Sequence, residues 1–250
     1  MSSGIYSALS GAVAQERNLN VIANNVANAT TTGYRADATA FNKVLAQQTQ
    51  AEPQRNASYA YSQLTRVQVD MSAGALRRTG RPLDFAILGD GFFTLQTPDG
   101  ERLTRDGSFV MDAAGKVMTQ DGHPLLMEGN DEKPEGLELV IPRNAREILL
   151  SQDGSVQADG ISLGRLRMRA FQGPLDVTKS GDNLFAAAPG ATLVKPDELN
   201  LVQASLETSN LNAVHGLNQM IVTNRAFDAL QKIIRTFQDI EQKTARGMGQ

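Results

Sequence analysis

The sequence contains no cysteine, no tryptophan and only two histidines among its 250 residues. The missing cysteines exclude disulfides, thiolate metal sites and cysteine nucleophiles. His123 lies in the turn-like segment Asp121–Pro124, and His215 lies in a C-terminal segment with helical periodicity. Each histidine stands alone, and an isolated histidine is more often a surface or packing residue than a catalyst.

An excess of positive charge is also missing. The formal net charge is −3, which argues against a general nucleic-acid binder, because such proteins usually present a basic face. The one clear basic cluster is Arg77, Arg78 and Arg81. It could meet an anionic partner, but a solvated turn is the favoured interpretation.

Long apolar runs are absent as well. No run reaches the ~20 residues that span a bilayer, so no membrane insertion is expected. The first residues lack the basic region and continuous apolar core of a cleavable signal peptide. If the protein leaves the cytoplasm, we expect it to use another export route.

Sequence signs of catalysis are few. No glycine-rich phosphate loop precedes a helix, and no serine lies in a nucleophile elbow. The many Asp-Gly pairs lack the ligand spacing of an EF-hand, and hairpin turns account for them. The sequence therefore predicts a protein that is not an enzyme and that holds no cofactor and no metal.

Apolar residues recur every seven positions at both ends of the chain. This spacing predicts amphipathic helices over residues 3–29 and 207–245 that pack against other helices. The N-terminal stripe comprises Ile5, Leu9, Ala12, Leu19, Ile22, Ala23 and Val26. The C-terminal stripe comprises Leu206, Ala213, Met220, Phe227 and Ile234, joined by Leu230, Ile233, Phe237 and Ile240.

Polar and β-rich segments separate the two stripes. The first helix is expected to end in an asparagine-rich run that includes Asn24, Asn25 and Asn28, because Thr30–Thr32 disfavour helix and Gly33 can adopt a left-handed conformation before Tyr34. The apolar spacing over 38–49 suggests a short further helix. From 84 to 188, short apolar runs between Asp-Gly turns predict an antiparallel β domain. The later strand candidates are 137–141, 146–150, 155–158, 163–171 and 183–187.

The expected fold class is therefore α+β, with coiled-coil-like terminal helices flanking a mainly antiparallel β domain. Residues 1–40 and 205–250 form the expected helical assembly domain. Residues 41–83 and 189–204 are expected to be extended connectors, and 84–188 to be the β-rich domain.

The terminal stripes allow two interpretations. They could form a helical hairpin within one chain, or they could contact other subunits. A C-terminal helix of ~38 residues would be ~57 Å long, which is longer than a compact domain of this size needs. Since burying one leucine or phenylalanine is worth roughly 1.5–3 kcal/mol, an uncovered stripe favours assembly.

Three blocks of the sequence resemble bacterial flagellar rod, hook and hook-associated axial proteins. These blocks are Asn18–Tyr34, the segment from Thr79 to Phe109 that includes Gly89-Asp90-Gly91 and Thr104-Arg105-Asp106-Gly107, and Leu206–Asn212 with Met220–Phe227. They occur in the family's order and cover both ends and the centre of the chain. The opening Gly4–Ala12 and the single β domain are most similar to the proximal rod proteins, with distal rod or hook-type proteins as the alternatives.

The resemblance implies a non-enzymatic subunit of the periplasmic rod of the basal body. It would be exported unfolded through the flagellar type III apparatus and would stack helically with proximal and distal rod proteins and with itself. The assembly contacts are then expected at Ile5, Leu9, Ala12, Leu19, Ile22, Asn24, Asn25, Val26, Asn28, Gly33, Tyr34, Leu206, Ser209, Asn210, Met220, Phe227, Leu230, Ile233, Ile234 and Phe237.

Two other functions stay open on the residues alone. A β-rich extracellular enzyme or carbohydrate binder with oligomerising ends predicts paired carboxylates in a polar cleft within 84–188. A monomeric adhesin closed by its helices predicts no assembly.

Overall fold

A computed structural model of the chain describes residues 2–45, 60–129, 137–171, 177–181, 183–188, 192–194 and 200–247. The chain forms two compact units. The first unit combines residues 1–27, 37–68 and 212–250, and the second combines 28–36 and 69–211. Parts of the predicted connectors, namely residues 46–59, 189–191 and 195–199, lie outside the described residues.

The first unit contains two helices and one pair of strands. Helix α1 spans Ser2–Ala27 and helix α2 spans Ala213–Gly247, while β1 (Asp37–Leu45) pairs with β2 (Ala60–Val69). Asn212 caps the N-terminus of α2. Its side-chain Oδ1 accepts a hydrogen bond of 3.1 Å from the His215 N–H of the first turn.

The second unit is built from short strands, and every pair with a described register is antiparallel. Its strands are β3 (Leu76–Arg78), β4 (Phe85–Leu88), β5 (Phe92–Thr97), β6 (Gly100–Thr104), β7 (Val110–Met111), β8 (Val117–Met118), β9 (Leu126–Met127), β10 (Leu137–Glu138), β11 (Ile148–Leu150), β12 (Ser155–Ala158), β13 (Ile161–Arg165), β14 (Met168–Phe171), β15 (Val177–Lys179), β16 (Leu184–Ala187), β17 (Leu193–Val194), β18 (Asn200–Gln203) and β19 (Ser205–Glu207). The largest sheet has the order β15-β16-β6-β5-β14-β17.

Strand β5 places side chains in both apolar layers of the second unit. Phe93 and Leu95 join the main core, whereas Phe92 joins a smaller cluster with Leu103 and Phe185. Alternate residues of a strand point to opposite faces, so this strand is buried on both sides. The Phe93 and Phe109 rings meet edge to face at 5.3 Å between centroids, and the Phe92 and Phe185 rings do so at 5.3 Å.

One predicted helical segment contains a strand instead, its residues 46–49 lying outside the described residues, and the C-terminal helix begins later than predicted. The segment 38–49 was expected to be helical, but residues 37–45 form β1, because pairing with β2 overrides the helical spacing of its apolar residues. The C-terminal helix was expected from 207, but it begins at Ala213. Leu206 lies in β19, where it pairs with Arg77, so it is not part of the helical stripe.

The α+β class is confirmed, with one helix near each end and an antiparallel β region between them. Residues 28–36 and 205–211, which were predicted to belong with the helices, lie in the second unit. Both chain segments adjoining the helices therefore belong to the β-rich unit.

Gly107 lies where two backbone segments touch. A Cβ added at this position would lie 1.7 Å from the Phe85 carbonyl oxygen. The Phe85 N–H donates to the Gly107 carbonyl at 3.0 Å, so the two segments cannot separate without losing a buried hydrogen bond.

We expect Gly107→Ala to lower the free energy of unfolding of the second unit by about 3 kcal/mol or more, because the new methyl group overlaps backbone that cannot move freely. Denaturant unfolding measures this loss when it is monitored by tyrosine fluorescence and by near-ultraviolet circular dichroism. Gly160→Ala is the matched control, since no atom lies within 4 Å of its added Cβ and only its φ of +80° opposes it, which costs about 1–2 kcal/mol. Equal losses in the two variants would contradict the steric explanation.

Candidate assembly surfaces

The two helices pack antiparallel along a seam of small residues on α1. An added Cβ at Gly4 would lie 3.2 Å from Phe237 Cζ, and one at Gly11 would lie 3.5 Å from Leu230 Cδ1. A step of seven residues up α1 thus matches a step of seven residues down α2. Continued at the same spacing, this register places Asn18 level with Thr223 and Asn25 level with Gly216.

Gly4 and Gly11 each precede a position of the predicted stripe at 5, 12, 19 and 26. Within that stripe Ala12 is buried and Ile5, Leu19 and Val26 are half-buried. Ala8 and Ala12 beside the seam are buried. Small side chains allow the aromatic and leucine side chains of α2 to approach the α1 backbone, and apolar periodicity alone does not detect glycine as a contact residue.

Two asparagines in the C-terminal half of α1 form hydrogen bonds with the strand that follows, β1. Asn25 Nδ2 donates to the Asp37 carbonyl at 2.8 Å, and the Asp37 N–H donates to Asn25 Oδ1 at 2.9 Å. Thr39 Oγ1 donates to Asn18 Oδ1 at 2.9 Å. The side-chain amide of Asn25 therefore pairs with β1 as a neighbouring strand would.

Helix α1 exposes a second apolar stripe. Tyr6, Leu9 and Val13 follow the spacing i, i+3, i+7 and are 60%, 48% and 40% exposed. At 3.6 residues per turn, these positions lie on the side of α1 opposite Gly4 and Gly11. We call this set the α1 outer stripe.

Helix α2 exposes a comparable stripe near its start. Val214, Leu217 and Ile221 have the same spacing and are 70%, 49% and 53% exposed. They lie on the side of α2 opposite Thr223 and Leu230. We call this set the α2 outer stripe.

The two outer stripes lie on opposite sides of the helix pair and at different heights. The register of the seam places Leu9 at the level of Lys232, which is ~15 residues, or ~22 Å, along α2 from Leu217. The two stripes therefore cannot be covered by each other within one chain.

Three other residues predicted for assembly contacts, Gly33, Tyr34 and Asn210, lie close together inside the second unit. Gly33 has a φ of +64° and its N–H donates to the Glu207 carbonyl at 2.8 Å. The Asn210 N–H donates to the Tyr34 carbonyl at 3.3 Å, and Asn210 Oδ1 accepts from the Ala36 N–H at 2.8 Å. The segments 33–36 and 207–210 are thus joined through their backbones.

Three charged side chains are buried at this junction. Arg35 Nη1 lies 2.6 Å from Glu207 Oε1, and Arg105 Nη1 lies 3.4 Å from Glu207 Oε2. The exposed fractions are 0% for Arg35, 4% for Arg105 and 3% for Glu207. We call these three residues the buried charge cluster.

Further contacts fix the cluster in place. The Gly74 N–H donates to Glu207 Oε1 at 2.8 Å, and Arg105 donates to the carbonyls of Ile87 and Gly89 at 3.2 and 2.5 Å. Burial lowers the pKa of Arg105 to about 10, and the negative charge of Glu207 opposes this shift. Arg105 therefore stays charged at neutral pH.

The structure divides the residues predicted for assembly into four groups. The buried or half-buried residues of the two helices are Ile5, Ala12, Leu19, Ile22, Val26, Met220, Phe227, Leu230, Ile234 and Phe237, of which Leu230 and Phe237 lie against glycines of α1. The exposed residues are Leu9, Asn24 and Ile233. The residues used by contacts within the chain are Asn25, Asn28, Gly33, Tyr34 and Asn210. The buried or partly buried residues of β19 and the following loop are Leu206 and Ser209.

Five of the six outer-stripe residues and the role of the buried charge cluster were not predicted from the sequence. Tyr6 and Val13 alternate with Leu9 at helical spacing, and Val214 and Leu217 precede Ile221 in the same way. A search for two apolar faces on each helix would have found them. Among the described residues there is no group of three or more potential metal ligands, and neither helix has the length and apolarity needed to cross a membrane.

Comparison with known families supplies the identity of the chain. Residues 5–35 match the family described as flagella basal body rod protein, 86–158 match the flagellar hook protein FlgE/F/G D1 domain, and 202–247 match the flagellar basal body rod FlgEFG protein C-terminal region. The chain is 32% identical to the flagellar basal-body rod protein FlgF of Rhizobium meliloti, over 100% of this chain and 99% of the relative.

The chain belongs to the flagellar basal-body rod proteins. It is a structural subunit of the flagellar rod, and no comparison favours an enzyme or a carbohydrate binder. It is also 33% identical to the rod protein FlgG of Caulobacter vibrioides, over 97% of this chain and 98% of the relative, and 28% identical to the FlgF of that organism, over 100% and 99%. Each of the three matched regions of this rod protein contributes one residue of the buried charge cluster.

We expect Gly11→Leu to separate the helices of the first unit, because the larger side chain occupies the space filled by Leu230. Gly11→Ala should be tolerated, since its methyl group meets Leu230 at an ordinary contact distance of 3.5 Å, and alanine favours helix over glycine by about 1 kcal/mol. Thermal melts of the helical circular dichroism signal should give a lower Tm for Gly11→Leu and an equal or higher Tm for Gly11→Ala. Equal melting of the two variants would refute a tight seam at this position.

Proposed function

We propose that this rod subunit assembles through the outer stripes of its two helices, with the α1 outer stripe of one subunit covering the α2 outer stripe of another. The observation that carries this proposal is the exposure of Tyr6, Leu9, Val13, Val214, Leu217 and Ile221 on the faces that the helix pair leaves open. Covering one such side chain is worth roughly 1.5–3 kcal/mol. Six of them give a strong drive to associate.

The placement of the stripes favours an open assembly over a closed dimer. The two stripes differ in sequence, face opposite ways and are displaced by ~22 Å along the helices. A contact between two different surfaces is heterologous, and it produces a helical filament unless the rotation happens to close. A continuous rod requires this type of contact.

We also propose which proteins the subunit contacts and how it reaches the rod. The subunit contacts other rod proteins and further copies of itself, reaches the rod through the flagellar export apparatus and acts without catalysing a reaction. The family membership supports the contact with other rod proteins, because the related chains are rod proteins over almost their whole length.

Among rod proteins we favour the FlgF type over the FlgG type, and we keep the proximal position that the resemblance of the opening residues implies. Alignments with FlgF relatives span 250–254 positions for this chain of 250 residues, whereas those with FlgG relatives span 265–270. The FlgG alignments therefore include additional gaps, while the percentage identities do not separate the two types. Locating a tagged subunit in isolated basal bodies by electron microscopy decides between them, and a position in the distal rod would overturn the assignment.

We expect Leu9→Asp or Ile221→Asp to weaken assembly at least tenfold while leaving the isolated subunit folded, because each places a carboxylate in the proposed interface. Swimming motility and the amount of subunit in purified basal bodies measure assembly, and circular dichroism measures folding. Ser7→Asp on α1 and Gln238→Asp on α2 are the controls, since both residues are exposed and lie outside the outer stripes.

A charge exchange tests which stripes meet. The double variant Leu9→Asp with Leu217→Lys should recover more motility than Leu9→Asp with Gln238→Lys, because only the first pair would place opposite charges at one interface. Full assembly of both single aspartate variants, or equal recovery by the two double variants, would rule out the proposed pairing.

A further inference from the structure

Glu207 neutralises two arginines that are distant in the sequence. It lies 172 residues from Arg35 and 102 residues from Arg105. Among the described residues, Arg35 Nε and Nη2 and Arg105 Nε have no hydrogen-bond partner. The ion pair with Glu207 is therefore the main compensation for the charge of Arg35.

Without Glu207, the junction would bury two positive charges next to each other. Arg35 and Arg105 repel, and this repulsion contributes to the lowered pKa of Arg105. Removing one partner from a buried ion pair is strongly destabilising, because the remaining charge has lost its water and gained nothing in return. Here Glu207 is the carboxylate that contacts both arginines, while Arg105 is also attracted by Asp90 and donates to two carbonyls.

The segment that carries Glu207 also completes the backbone pairing of the second unit. Strand β18 pairs with β4, and β19 pairs with β3. The Thr208 N–H donates to the Ala75 carbonyl at 2.8 Å. The Glu207 carboxylate and strands β18 and β19 thus lie on one chain segment, which is the last part of the second unit in the sequence.

We propose that Glu207 makes folding of the second unit conditional on the C-terminal segment, so that the β-rich unit cannot become stable before residues 200–210 are in place. In any process that delivers the chain from its N-terminus, Arg35 and Arg105 come first and remain without their counter-charge until Glu207 follows. The unit then stays unfolded until almost the whole chain has been delivered. This inference does not depend on the assembly proposal.

Equilibrium unfolding of the full chain tests the charge requirement. Glu207→Gln should lower the folding equilibrium constant of the second unit about a hundredfold or more. The triple variant Arg35→Met, Arg105→Met, Glu207→Leu leaves no buried charge in the cluster. Its folding equilibrium constant should therefore be at least about tenfold higher than that of Glu207→Gln. Glu138→Gln is the control, since it breaks a half-exposed ion pair with Lys116 and should change the constant less than about fivefold.

Near wild-type stability of Glu207→Gln would overturn the proposal. So would a triple variant that is no more stable than Glu207→Gln, because the loss would then come from shape and not from charge.

Pulse-labelled hydrogen exchange during refolding of the full chain tests the order of events. In the wild type, core amides such as Val117 and Leu139, which donate to the carbonyls of Leu139 and Leu125, should become protected no earlier than the amides of Gly33, Gly74 and Thr208. In the triple variant, the core amides should become protected first. Earlier protection of Val117 and Leu139 in the wild type would show that the unit forms without the C-terminal segment and would refute the inference.

Discussion

One carboxylate shared by two buried guanidinium groups joins distant segments of the second unit. Glu207 binds Arg35 and Arg105 directly and accepts a hydrogen bond from the Gly74 backbone. These residues come from four separate parts of the chain, and the backbone contacts of Gly33 and Asn210 surround them. Since a buried charge without a partner costs several kcal/mol, the segments that adjoin both helices are tied to the β-rich unit and not merely linked to it by the chain.

The seven-residue apolar spacing was sufficient to predict a helix near each end, and the Asp-Gly turns were sufficient to predict an antiparallel β region. Strand candidates at 155–158 and 183–187 correspond to β12 and β16. These predictions succeeded because they rest on local periodicity and turn chemistry. The spacing of Phe41, Val44 and Leu45 predicted helix for the same kind of reason, yet the chain forms β1, because pairing with a distant strand decided the outcome.

The candidate site was harder to predict, because contacts between distant residues create it. Gly33, Tyr34 and Asn210 lie in blocks that resemble the family, and their contacts between subunits stay a prediction, while the structure shows the contacts that they make within the chain. Arg35 and Glu207 have no local sign of burial. The close approach of α2 to Gly4 and Gly11 was not predicted, because glycine has no side chain that apolar periodicity could register. Leu9 was identified correctly as an apolar face residue, but it faces away from α2.

The separation of the two outer stripes gives the proposed rod a direction. Every added subunit would cover one type of stripe and present the other, so the two ends of a stack would be chemically different. One end would expose Tyr6, Leu9 and Val13, and the other would expose Val214, Leu217 and Ile221. A protein that begins the stack and a protein that terminates it would then need different binding surfaces, and neither could take the place of the other.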